Sequence, residues 1–270
     1  MSNTVYKDSN SVATILAIKN QLSANLGIGF EMDISTTLNF KHKVLESTEP
    51  KQFPKIRYFG IGIKGYANLT SENNIAQPYM PKPSDCDLYE PIPFRCVTKP
   101  LTGVEAEQYR MVTKVSIDGR TYYQYWLKLI TFESSTPKTT KITNDIESDY
   151  SISTSDLNPV PSDLMASDLS EATERIVASV TGTCRITGAE VTEVINAMYG
   201  GDMRRARISE IGVYSGVECA VSGDGELPDR TEAAYVQLCN HKCTLGQTLT
   251  SDEAVMIERK VFENGSCVSI

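Results

Sequence analysis

Asp118-Gly119 is the strongest local constraint on how this chain folds. It separates Tyr109-Arg110-Met111-Val112-Thr113-Lys114-Val115-Ser116-Ile117 from Arg120-Thr121-Tyr122-Tyr123-Gln124-Tyr125-Trp126-Leu127-Lys128-Leu129-Ile130, two runs rich in β-branched and aromatic residues. A two-residue link between antiparallel strands needs positive φ angles, which Asp and Gly accept at least cost. The spacing therefore predicts a β-hairpin turning at Gly119.

Other segments extend this β-rich reading. Ile56 to Tyr66 carries aromatic and β-branched residues interrupted by Gly60, Gly62 and Gly65, a strand running into a loop. Phe30, Met32, Ile34, Leu38 and Phe40 fall at even positions and predict extended backbone over 28–51. Ile176, Ala178, Val180, Gly182, Cys184 and Ile186 alternate with mostly polar neighbours in a long half-buried strand. Further strands are expected over Arg207–Tyr214, Ala233–Cys239, Ala254–Phe262 and Ser266–Ile270. Helical spacing is confined to Ser11–Leu26, closed by Gly27, and to about Gly188–Tyr199, where Thr187 and Glu190 form a capping-box pattern ahead of Gly200.

Six of the twelve prolines lie between Gln77 and Pro100, a density that forbids a regular helix. The interspersed Tyr79, Met80, Leu88, Tyr89, Ile92 and Phe94 are too apolar for a solvated linker, so this segment is expected to lie extended on a surface, its own or a neighbour's. From Glu133 to Leu169, Ser, Thr, Asp, Asn and Pro dominate. The expected organisation is an N-terminal β-rich domain over 1–135, a linker over 136–170 and a C-terminal antiparallel sheet with one packed helix over 171–270. The predicted fold class is mainly β, an antiparallel β-sandwich with a few short helices.

A net charge of -8 repels phosphate backbones and anionic lipid surfaces, so neither nucleic acid nor membrane is expected as a partner. The opening residues lack the basic-then-apolar order of a secretion signal, and seven irregularly spaced cysteines do not make a disulfide scaffold; thiols in a cytoplasm are expected.

Groups able to carry chemistry are sparse. His42 sits between Lys41 and Lys43, cations that disfavour its protonation. Cys239, His241 and Cys243 stand at i, i+2 and i+4, which places three possible zinc ligands on one face of a regular strand. No second cysteine pair completes a structural zinc set, so the preferred reading is a strand end with buried thiols beside an exposed imidazole, with no metal and no cofactor. Gly60-Ile61-Gly62-Ile63-Lys64-Gly65 lacks the third glycine and the helix of a dinucleotide-binding loop and reads as a kinked strand end. Asp85 with Asp87, and Asp145 with Glu147, read as solvated loop charge. No nucleophile elbow is present, and no catalytic residues are assigned.

What remains is aromatic surface. Tyr122, Tyr123, Tyr125 and Trp126 occupy both faces of one strand, which calls for a core on both sides or a covering partner. Tyr79, Tyr89, Phe94, Tyr123, Tyr125 and Trp126 are accordingly the expected interface residues.

The order of segments carries a resemblance. A short N-terminal helix, a strand ending in Phe59-Gly60, Pro78-Tyr79 in a proline-rich stretch, Tyr109-Arg110 before the hairpin, and Arg207-Ile208-Ser209-Glu210-Ile211-Gly212-Val213-Tyr214 near the end together resemble virion proteins of contractile-tailed bacteriophages, most of all the dimeric β-rich baseplate wedge protein. The resemblance implies a non-enzymatic building block of β-sandwich domains, a homodimer or ring-forming homo-oligomer that docks onto other tail proteins. It implies a place in the virion after assembly in the host bacterial cytoplasm. A head-to-tail neck or collar protein is the alternative within that class, and a metal-dependent enzyme with an unrecognised site is the alternative outside it.

Overall fold

The structure is a computed structural model that describes residues 11–28, 53–68, 76–143, 146–154, 157, 174–249 and 254–261. The expected extended stretch over 28–51 beyond Ile28, His42, Asp145 and the terminal strand Ser266–Ile270 lie outside the described residues. The chain is mainly β, with antiparallel sheets and short helices, as expected, and divides into two compact units.

The first unit spans 1–130 and 184–257. Its strands are β1 (Ser11–Ala13), β2 (Lys55–Gly62), β3 (Tyr66–Asn68), β4 (Ala76–Pro78), β5 (Pro91–Ile92), β6 (Arg95–Val97), β7 (Tyr109–Ile117) and β8 (Arg120–Leu129). In the second unit, 131–183 and 258–270, follow β9 (Thr131–Phe132), β10 (Lys138–Thr143) and β11 (Ile146–Asp149). β12 (Glu174–Thr187) begins in that unit and ends in the first, which continues through β13 (Arg207–Val221) and β14 (Arg230–Thr248) into β15 (Ala254–Val261). Among the described residues the α-helices are α1 (Ile15–Leu26), α2 (Gly103–Glu107) and α3 (Gly188–Tyr199), all in the first unit. Among the described residues no helix is long and apolar enough to cross a membrane.

The main sheet runs β1-β14-β13-β2-β8-β6, with β5 paired to β2 and β7 to β8. The β7–β8 hairpin forms as the sequence predicts: Asp118 and Gly119 take φ of 49° and 76°, and Ile117 faces Arg120. The α3 capping box is also present, Glu190 N donating to Thr187 Oγ1 at 3.2 Å and Thr187 N to Glu190 Oε2 at 2.7 Å. Tyr58, Leu88, Met111, Trp126, Leu127, Tyr214, Val236 and Leu238 pack as one buried cluster. The smaller sheet runs β11-β10-β12-β15, with β9 on β12.

Several expectations meet a different structure. The two-domain cut fails because β13 pairs with β2 along Glu210 to Gly216, so C-terminal strands complete an N-terminal sheet. The supposed linker over 136–170 contains β10 and β11, where Thr139, Thr140 and Ile142 suit a pleated strand despite their polarity. The proline-rich segment packs on its own unit, one of the two alternatives expected, and not over a neighbour: Leu88, Ile92, Phe94 and Cys96 are buried, and Phe94 N donates to Tyr125 O at 2.7 Å. Helix α1 is shorter than expected, because Ser11–Ala13 pairs with β14 as a strand and Thr14 caps the helix.

Candidate functional site

Strand register creates the site. Glu210 on β13 lies opposite Cys243 on β14, and Gly212 lies opposite His241. Between Val213 and Tyr214 the pairing jumps from Asn240 to Leu238, leaving Cys239 as an extra residue, a bulge. Because side chains alternate with period two, this slip takes Cys239 off the face that His241 and Cys243 share. The spacing that put Cys239, His241 and Cys243 together is thereby corrected: Glu210, His241 and Cys243 form the cluster, their donor atoms within 4.8 Å of one another.

His241 is fully buried, not the exposed imidazole expected. Its Nδ1 lies 2.9 Å from Asp85 Oδ2 and its Nε2 3.2 Å from Glu210 Oε1. Cys243 Sγ lies 3.5 Å from the same Nε2. The Tyr89 ring meets the imidazole edge-on, with centroids 4.8 Å apart. Asp85 also accepts from Lys82 N at 2.8 Å and from the Tyr89 hydroxyl at 3.1 Å, so it is an acceptor to three donors and not solvated loop charge. Asp87 is likewise buried and accepts from the Tyr214 hydroxyl at 2.9 Å.

A fully buried glutamate must be compensated, and Glu210 is compensated by backbone. Tyr89 N donates to Oε1 at 2.6 Å, while Lys64 N and Glu90 N donate to Oε2 at 2.9 and 3.1 Å. The glycines of 60–65 make this approach possible. A Cβ on Gly62 would stand 2.6 Å from Glu210 Oε2, and one on Gly65 would stand 2.0 Å from Ser209 O. Gly65 N donates instead to Ser209 Oγ at 2.8 Å. The glycine-rich stretch thus cradles β13.

Burial, then the charges of Glu210 and Asp85, push the Cys243 thiol up to about 12. Burial also pushes Cys239 up to about 11, and its Sγ contacts Gln237 O at 3.6 Å. The six described cysteines are free thiols, as expected. A carboxylate oxygen, an imidazole nitrogen and a sulfur converge here, a donor set able to hold a borderline-soft divalent cation.

The expected interface residues divide. Tyr79 and Tyr89 are 39% and 38% exposed and stack edge-on. Phe94, Tyr123, Tyr125 and Trp126 are buried in the chain's own core, which corrects their assignment to an intersubunit surface. Tyr123 to Lys128 of β8 are buried in succession, so both faces are covered from within; Trp126 Nε1 donates to Thr113 Oγ1 at 2.8 Å and Leu101 N to the Tyr125 hydroxyl at 2.7 Å. Sequence reasoning missed Glu210 as a site residue and set Asp85 aside as solvated loop charge. A lone Glu between Ile208 and Ile211 in a strand of apolar residues is the signal that marks the first.

A family model described as "Family of unknown function (DUF7208)" matches residues 1–261. No curated protein and no solved structure matches the chain.

Proposed function

The chain belongs to the DUF7208 family, whose function is unknown, and from its own residues we propose that it is a non-enzymatic structural subunit of a bacteriophage virion, most like a wedge component of a contractile tail baseplate. The observation that carries an assembly role is the outward face of α1. Ile15, Ile18, Leu22 and Leu26 are 53%, 50%, 43% and 62% exposed, at helical spacing along one stripe. The helix is held to its own sheet by other groups: buried Leu16, Thr14 Oγ1 donating to Leu238 O at 2.5 Å, and Asn20 donating to Gln237. An apolar stripe left in water on a tethered helix supports docking against another protein subunit of the particle. The resemblance of the sequence blocks supplies the class of particle.

The test is the double variant Ile18→Glu with Leu22→Glu. Both positions are exposed, so melting of the isolated chain stays within about 0.5 kcal/mol of wild type in stability. Complementation of a phage lacking the chain by this variant is expected to yield no complete tails. Normal particle yield overturns the assembly role of this face.

A further inference from the structure

We infer that Glu210 Oε1, His241 Nε2 and Cys243 Sγ bind one Zn²⁺ ion that clamps β13 to β14, and this holds whether or not the chain is a virion subunit.

Three observations carry the inference. The first is spacing. Zinc bonds of about 2.0–2.1 Å to nitrogen, 2.0–2.2 Å to oxygen and 2.3 Å to sulfur at tetrahedral angles require donor separations of about 3.4 Å for N···O and 3.6 Å for N···S. The observed separations from His241 Nε2 are 3.2 Å to Glu210 and 3.5 Å to Cys243, and with all three donors within 4.8 Å of one another the Glu210 oxygen and Cys243 sulfur close on each other by up to about 1 Å to reach the tetrahedral O···S distance of about 3.6 Å. The second is orientation. Asp85 Oδ2 lies 2.9 Å from Nδ1, where it accepts that nitrogen's hydrogen once Nε2 is bound to the metal, and Nε2 faces Glu210 and Cys243. A carboxylate behind a ligating histidine is the usual outer support of a zinc site. The third is charge. Thiolate and glutamate together balance the two positive charges of zinc inside a site where all three residues are buried.

Binding displaces the Cys243 thiol proton to solvent as the sulfur–zinc bond forms, with no change of oxidation state. Tyr89 and Asp85 bring the segment before β5 into the same clamp.

The experiment uses the full chain, purified, incubated with zinc and desalted, with elemental analysis and cobalt substitution in parallel. Wild type and Cys239→Ser are expected to retain stoichiometric zinc, to show a sulfur-to-cobalt charge-transfer band and to melt lower with chelator. Cys243→Ser is expected to lose the band and the chelator effect, and Asp85→Asn to bind zinc about 10–100-fold more weakly. Should Cys243→Ser fail to fold, the cobalt spectra of wild type and Cys239→Ser decide: the band present in both supports the site. Wild type with neither zinc nor band overturns it, as does a band lost in Cys239→Ser or zinc retained undiminished in Cys243→Ser.

Discussion

Lys128 Nζ lies 2.8 Å from Glu190 Oε1, with both side chains almost wholly withdrawn from solvent. The same carboxylate accepts from the Tyr109 hydroxyl at 2.6 Å while its other oxygen caps α3, so one glutamate joins the hairpin to the helix. Lys128 also donates to Arg185 O at 2.8 Å and stands over the Tyr109 ring.

Removing one partner of such a pair strands the other as a buried charge. Lys128→Met is therefore expected to destabilise the first unit by about 3 kcal/mol, and Lys128→Met with Glu190→Gln by less than the single change. Urea unfolding measures both.

The pair also sets an acid limit. Burial pushes the Glu190 carboxyl up, but the hydrogen bonds from Lys128 and Tyr109 and the Lys128 charge outweigh it and hold the group below its ordinary value of 4.5. A lowered folded value means that the stabilisation is present above the ordinary value and is lost as pH falls through the folded one. Unfolding free energy measured against pH should fall below about pH 4.5 in wild type, and with a shallower slope in Glu190→Gln.

Gly119 and Gly65 are required for different reasons. At Gly119 a Cβ meets nothing within 4 Å, so only the φ of 76° resists substitution. Gly119→Val is expected to cost roughly 1 to 2 kcal/mol and Gly119→Asn less, since Asn tolerates the left-handed region. Equal melting of all three forms would contradict the turn.

At Gly65 the obstacle is backbone, with Ser209 O 2.0 Å from an added Cβ. Gly65→Ala is expected to destabilise the unit by about 1–3 kcal/mol through forced displacement of β13. Because Lys64 N and Ser209 anchor the Glu210 carboxylate and its neighbour, the same variant should also weaken cobalt binding. A variant that melts and binds like wild type would show that the glycine cradle does not position the site.

Short-range features were legible in the sequence. The hairpin and the α3 capping box depend on residues within three positions of one another, and Asp118-Gly119 and Thr187 with Glu190 state them locally. The candidate site was half legible. His241 and Cys243 stood out by composition, but the bulge at Cys239 that changes which residues share a face depends on how β14 pairs with β13. Asp85 reaches His241 across 156 positions, and Glu210 is satisfied by the backbone of two separate segments. Neither relationship leaves a periodic trace. The aromatic run of β8 misled for a related reason: core on both faces and interface on both faces look alike until the covering strands are placed.

The proposal that this chain is part of a virion has a direct test. The most direct measurement is quantitative mass spectrometry of phage particles purified from a lysate of cells that produce the chain. As a virion subunit, the chain is expected to co-purify with the particles at a fixed ratio to the other tail subunits. Recovery of the chain only in the soluble fraction, with none in complete particles, would contradict it.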